Sequence, residues 1–143
     1  MKLISPVFNH KGNIPPVYTC DGKDINPPLE ISEIPEGTET LALIADDPDA
    51  PGRTFVHWVA YDIEPTETIE ENTSPGTGGL TDFGRKDYGG PCPPSGTHRY
   101  FFKVYALDSR LDADEGLSKE ELIEAMDGHI LDDAELIGLY SRK

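Results

Sequence analysis

Two stretches of this chain are too apolar for a strand with one wet face, and they limit what it can fold into more than any other feature. Thr40 to Ala45 reads Thr-Leu-Ala-Leu-Ile-Ala, and residues 54 to 63 read Thr-Phe-Val-His-Trp-Val-Ala-Tyr-Asp-Ile. Both are short, and Asp46-Asp47-Pro48 closes the first, which favours buried strand over helix. The second is β-branched and aromatic in both alternating registers, as expected when both faces of a strand are covered. A strand period of two predicts Phe55, His57, Val59 and Tyr61 on one face and Val56, Trp58 and Ala60 on the other. Arg99 to Asp108 reads as a third strand, in which His98 shares parity with Tyr100, Phe102 and Val104.

The remaining sequence is punctuated by turn formers. Pro15-Pro16, Asp21-Gly22, Asn26-Pro27-Pro28 and Pro35-Glu36-Gly37 leave room only for short extended pieces before residue 38. Residues 64 to 95 carry many prolines and glycines and almost no apolar period, and an irregular segment of this length in a compact domain is usually functional. One helix has a complete signature. Ser118-Lys119-Glu120-Glu121 is a capping box, Leu122, Ile123 and Met126 form the apolar stripe, and Gly128 supplies a left-handed stop, so the helix runs from about Lys119 to Asp127. Residues 134 to 140 read as a last short strand. At 143 residues the chain is expected to be one domain over 1–143, mainly β with a peripheral helix near 119–127.

Charge removes several function classes. Asp and Glu number 27 against 12 Lys and Arg, a formal charge of -15. Such a surface repels a phosphodiester backbone and has no basic stripe with interleaved aromatics, so no nucleic-acid partner is expected. It repels anionic lipids as well, and stable membrane association is not expected. No apolar run reaches the roughly 18 residues of a membrane span, and Met1 to Asn9 lacks a signal-like apolar region. These features read as cytoplasmic. Cys20 and Cys92 have no C-x-x-C companions, so zinc and thioredoxin-type spacings are missing. In a cytoplasmic chain two separate small thiols are favoured over a disulfide, although the pair forms if the loops carrying them meet.

Three places carry side chains with chemistry. Asp46-Asp47-Pro48-Asp49-Ala50-Pro51 sets carboxylates at the end of a buried strand, where two prolines restrict the backbone and aim them; a solvated acidic turn would look the same. His57 interrupts an apolar strand, as either a hydrogen-bonded core residue or part of a site. The run Gly89-Gly90-Pro91-Cys92-Pro93-Pro94-Ser95-Gly96-Thr97-His98-Arg99-Tyr100 combines glycines, which let a ligand approach backbone amides, with prolines, which hold a loop in shape.

Taken together, Asp47-Pro48-Asp49-Ala50-Pro51, His57-Trp58-Val59 and the segment from Gly90-Pro91 to Gly96-Thr97-His98-Arg99-Tyr100 resemble the signature blocks of phosphatidylethanolamine-binding proteins, also called the Raf kinase inhibitor protein family. Thr19-Cys20-Asp21-Gly22, Gly90-Pro91-Cys92-Pro93-Pro94 and Gly128-His129-Ile130-Leu131 resemble its bacterial and archaeal branch. The resemblance spans about residues 3 to 142. It implies a large central antiparallel β-sheet packed with a smaller sheet, few peripheral helices, and an anion pocket. By matching position it implies that Asp47, His57, His98 and Tyr100 form the pocket and that Pro51, Gly90 and Pro91 form its walls. It also implies a protein partner, a kinase or a protease. Related prokaryotic proteins look dimeric, but no heptad or long apolar stripe here establishes a homodimer. The C-terminal segment, Leu136 to Lys143, is brief, so an element that gates the pocket in longer eukaryotic relatives is expected to be absent or different.

The chemistry fits an anion on its own terms, because two imidazoles, a phenol and loop amides are donors. A carboxylate beside an imidazole favours its charged form, so binding is expected to tighten as pH falls toward histidine's ordinary value near 6.5. The leading reading is therefore a binding module for small phosphorylated or anionic ligands, without catalytic residues, metal or cofactor. One rival is an enzyme in which His57, His98 and Asp47 hold iron or zinc, or Asp47 and Asp49 divide acid and base roles; no nucleophile elbow or H-E-x-x-H pattern supports it. The other is a surface-acting inhibitor or scaffold that leaves the pocket unused. His129, after the helix stop, is expected to make a structural hydrogen bond.

Overall fold

In the computed structural model, which describes residues 1–142, the two strongly apolar runs lie side by side. The chain forms β1 (Lys2–Ile4), β2 (Gly12–Asn13), β3 (Leu29–Ser32), β4 (Thr40–Asp47), β5 (Phe55–Ile63), β6 (Thr68–Ile69), β7 (Thr77–Gly78), β8 (Thr97–Leu107), α1 (Lys119–Met126) and β9 (Ile130–Ser141). Six strands make a large sheet in the order β2-β9-β8-β4-β5-β7, and β1-β3-β6 make a small antiparallel one. The fold is mainly β, as expected. The large sheet is antiparallel except for the β2–β9 pair, which is parallel.

Both faces of the large sheet are covered, which is why β4 is buried at every position. One face packs on the small sheet: Leu41, Leu43 and Ala45 of β4 and Phe102 and Val104 of β8 share a core with Leu3, Leu29, Ile31 and Ile69. The other face carries Ala42, Ile44, Val59 and Tyr61 against Leu122 and Met126 of α1. The helix begins as predicted: Ser118 Oγ accepts from the Glu121 amide at 3.1 Å while Glu121 Oε1 accepts from the Ser118 amide at 2.9 Å. Lys119, its first residue, reaches down to the buried Asp46 at 2.6 Å, pairing the carboxylate that leaves β4 on the helix side. His129 Nδ1 donates to Asp108 Oδ1 at 2.9 Å, the structural contact expected of it.

Four expectations are corrected. The last strand is not short: β9 runs twelve residues and pairs with β8 from Ser141 opposite Thr97 to Ile130 opposite Leu107, so residues 130–133, Ile-Leu-Asp-Asp, are held in the sheet by β8 although none of them is buried. Residues 64–95 are irregular apart from β6 and β7, two residues each. The cysteines pair: Cys20 and Cys92 form a disulfide with Cα atoms 5.5 Å apart. Their loops are brought together by backbone contacts, with the Cys20 amide donating to the Pro91 carbonyl at 3.1 Å. The fourth correction is in β5. Ala45 lies opposite Trp58 but Asp46 lies opposite Val56, so His57 is an extra residue with no partner on β4. The simple alternation fails there: Val56 falls in the core with Val59 and Tyr61, and Trp58 and Ala60 in the core with Tyr100. No helix among the described residues is long and apolar enough to cross a membrane.

The disulfide joins residues 72 apart in sequence. Replacing both cysteines with serine is expected to lower stability by about 2–4 kcal/mol with the fold retained, measured as a lower urea midpoint with an intact far-ultraviolet spectrum.

Candidate functional site

At the edge where β4, β5 and β8 end, the large sheet opens into a cavity of about 210 Å³. Its polar residues come from the three strands: Asp47 is the last residue of β4, His57 sits in the bulge of β5, and His98 and Tyr100 share one face at the start of β8. The bulge matters most for His57. An inserted residue breaks the alternation and re-aims a side chain, and here it turns the imidazole onto Tyr100, with ring centroids 5.3 Å apart. His98 lies on the other side of Tyr100, its ring stacked at 6.4 Å.

Each polar group is held by a defined partner, with one exception. Asp47 Oδ2 is 2.7 Å from His98 Nδ1, while Asp47 Oδ1 accepts from the Asp49 amide at 2.8 Å. Both carboxylate oxygens are thus engaged, and the imidazole is oriented with Nε2 free of any partner among the described residues. His57 Nδ1 donates to the Gly89 carbonyl at 2.8 Å, and the Gly89 amide donates back to the His57 carbonyl at 3.0 Å. Burial pushes the His57 pKa below its ordinary value, and this outweighs the opposing pull of the Gly89 carbonyl and of Asp47, Asp46 and Asp24. The expectation that a neighbouring carboxylate dominates thus does not hold for His57, because Asp47 faces His98 and desolvation is the larger effect. The exception is Tyr100. Its hydroxyl is buried, in a residue only 2% exposed, and has no hydrogen-bond partner among the described residues; the Cys92 backbone approaches it without the geometry of a bond. Burial first, and then Asp47 and Asp49, push the phenol well above its usual range, so it stays a protonated donor.

The walls come from loops. Ala50 and Pro51 follow Asp47, Phe55 precedes the bulge, Phe83 arrives from the β7–β8 loop, and Cys92, Pro93 and Pro94 complete the lining. Pro51 therefore stands where the resemblance put it. Gly90 and Pro91 do not line the cavity. They fix the loop from behind: the Gly90 amide donates to Asp24 Oδ1 at 2.7 Å, and a Cβ at Gly90 would lie 2.4 Å from the Tyr18 carbonyl oxygen. Their neighbours Cys92, Pro93 and Pro94 take the wall position instead, since the disulfide draws the chain across just after Pro91. The opposite loop is clamped by Arg99, which grips both oxygens of Asp49 at 2.9 Å. Phe55 and Phe83 were not anticipated; Phe83 lies in a turn-rich segment with no period to mark it. Among the described residues no group of three His, Cys, Asp or Glu is arranged to hold a metal ion.

Comparison with known proteins agrees with this architecture. The family described as phosphatidylethanolamine-binding protein matches residues 4–141. A UPF0098 protein of Methanothermobacter thermautotrophicus is 50% identical over 150 residues, covering 99% of each chain. The crystal structure of a phosphatidylethanolamine-binding protein homologue, CT736 of Chlamydia trachomatis, superposes with a TM-score of 0.96 at 40% identity, covering 99% of this chain and 97% of that one. E. coli YbcL, described as a member of the mammalian family, superposes at 0.91 with 27% identity over 99% and 98% of the two chains.

The clamp and the orphan hydroxyl each have a measurable consequence. The Arg99 hydrogen bonds hold the Asp49 carboxyl down to about 2, so its carboxyl carbon should titrate there by NMR; the ion pair is present above the ordinary aspartate value near 3.9 and is lost as pH falls through about 2. Tyr100→Phe removes a buried polar atom that has no partner, so stability should not fall and should rise by up to about 1 kcal/mol in urea denaturation.

Proposed function

We propose that this chain, which belongs to the phosphatidylethanolamine-binding protein family, is a binding module that takes a small phosphorylated or otherwise anionic group into the cavity formed by Asp47, His57, His98 and Tyr100. The observation that carries this reading is the buried, unpartnered Tyr100 hydroxyl beside two imidazoles whose Nδ1 atoms are already engaged. A donor without an acceptor costs about 1–3 kcal/mol where water cannot reach it, and an anionic oxygen at this place satisfies it. With Nδ1 fixed on Asp47 or on Gly89, both imidazoles have only Nε2 left for a ligand. Asp47 does not oppose the anion as a free charge would, because both its oxygens are spent on His98 and the Asp49 amide.

The same inventory supports binding over catalysis. The lining has no serine, threonine or lysine, and its one sulfur, Cys92, is bonded to Cys20. No serine or threonine hydroxyl, amine or free thiol stands beside the histidines, and the carboxylate that does, Asp47, has both oxygens hydrogen-bonded.

Proton linkage tests the proposal. His57 is neutral in the empty site because burial disfavours its charge. An anion at Nε2 raises its pKa, so binding at neutral pH takes up a proton, and affinity rises as pH falls toward the lowered His57 value. Sulfate is the probe, since its own charge is constant in this range. Calorimetric titrations at pH 7 in two buffers of different ionisation enthalpy should show proton uptake, with affinity increasing at pH 6. His98→Ala should weaken sulfate by about 10–100-fold, the value of one charge-assisted hydrogen bond. Binding that ignores both pH and His98 would refute the assignment.

A further inference from the structure

The Cys20–Cys92 disulfide is not placed as a buried staple. Cys92 is exposed and lines the cavity, while Cys20 is half-buried. Disulfides that solvent reaches are the labile ones, since exchange begins with a thiolate attacking a sulfur it can touch. Cys20 is the fixed partner. The turn around it is closed by the Gly22 amide on the Thr19 carbonyl at 3.0 Å and by the Asp21 amide on Thr19 Oγ1 at 3.1 Å.

What the bond holds differs on the two sides of Cys92. Before it, the chain is fixed without the disulfide. The Tyr88 hydroxyl donates to the Tyr18 carbonyl at 2.7 Å, the Gly89 amide to the His57 carbonyl at 3.0 Å and the Gly90 amide to Asp24 Oδ1 at 2.7 Å, and the Pro91 carbonyl accepts from the Cys20 amide at 3.1 Å. After it the support ends. Residues 92–96 take part in no hydrogen bond among the described residues, and the next held residue is Thr97, opposite Ser141 in the sheet. Pro93 and Pro94 have no amide to donate. Gly96 is exposed, with a φ of 71° and open space where a Cβ would stand, so it is free to turn. The span that carries Cys92, Pro93 and Pro94 into the cavity wall thus has a fixed end at Pro91, a pivot at Gly96 and one covalent tie between them.

From this arrangement we infer that the Cys20–Cys92 bond is a redox latch on the cavity wall, opened by a dithiol reductant and closed again by a disulfide oxidant. A thiolate of the dithiol attacks the exposed Cys92 sulfur, and Cys20 leaves as a thiolate that takes up a proton. The second thiol of the reductant then displaces Cys92. Two electrons have entered the protein S–S bond, two cysteine thiols have formed, and the reductant departs as a disulfide. Residues 92–96 are then tethered only at their ends, and the contacts of residues 88–91 keep the rest of the loop in place. Reoxidation finds the two cysteines close, because the Cys20 amide still holds the Pro91 carbonyl. The latch sets the ordering cost of filling the cavity, whatever occupies it.

Dithiothreitol applied to the folded protein tests this, with alkylation and mass measurement counting the thiols released. Both cysteines should be reduced without urea, and the far-ultraviolet spectrum should not change. Backbone order parameters at positions 92 and 95 should fall from about 0.85 to below about 0.6, while Gly89 and Gly90 keep the rigid value. Cys92→Ser should show the same pattern without reductant. Sulfate should bind the reduced form at least about fivefold more weakly than the oxidised one; this readout alone rests on the anion reading above. A bond that yields only after urea has unfolded the chain would make it a plain staple and overturn the proposal. So would reduction that melts the fold, order parameters that do not change on reduction, or equal sulfate affinity of the two forms. Absence of sulfate binding to the oxidised form would count against the anion site alone, and the order parameters would still decide the latch.

Discussion

One inserted residue in β5 decides whether there is a site at all. With regular pairing against β4, His57 would alternate with Trp58 and could not share a face with it. The step from Ala45 opposite Trp58 to Asp46 opposite Val56 gives β5 one residue more than its partner, and His57 takes that place. A shift of one residue moves every following side chain to the other face of a sheet. Here the consequence is used twice: Trp58 and Ala60 remain in the core between the sheets, and His57 still meets Tyr100. The compensating contact is the loop residue Gly89, which pairs with both the backbone and the ring of His57. The irregular segment before β8 is therefore a partner for the bulge as well as a wall.

The second constraint is electrostatic. A chain with a formal charge of -15 must neutralise its own carboxylates near any place meant for an anion. Asp46 leaves β4 on the helix side and meets Lys119; Asp47 leaves it on the cavity side and meets His98; Asp49 is gripped by Arg99. Three neighbouring acids thus have three separate cationic or donor partners on α1 and β8. The alternation of β4 distributes Asp46 and Asp47 to opposite faces. What reaches the cavity is a pair of oriented imidazoles and one phenol, at the end of strands too well packed to shift.

The walls obey a different logic from the base. Strand residues supply the polar base, and loops supply the apolar rim, each loop fixed by contacts that face away from the cavity. The Cys20–Cys92 disulfide, the Gly90 amide on Asp24 and the Tyr88 hydroxyl on the Tyr18 carbonyl tie the loop before β8 to the N-terminal turns. Rigid loops of this kind lower the ordering cost of binding. Gly90 is confined against Tyr18 and Thr19, Pro91 accepts from the Cys20 amide, and the residues that follow them, Cys92, Pro93 and Pro94, line the cavity.

The sequence by itself determined the core strands, through runs apolar in both registers, and the ends of α1, through Ser118, Glu121 and Gly128. It also determined which polar groups were available, because Asp47, His57, His98 and Tyr100 fall in the core strands or directly beside their ends, and their blocks identify the family. These are local properties, set by side chains a few residues apart. Only tertiary structure decided the side of the sheet on which His57 emerges, since a bulge is a mismatch between two strands and neither strand encodes it alone. The same holds for the pairing of Cys20 with Cys92, for the length of β9, whose exposed first residues are held by β8, and for Phe83, which becomes part of the site because a glycine six residues further on leaves room for its ring. Each depends on two distant segments meeting in space, and short-range pattern carries no record of that meeting.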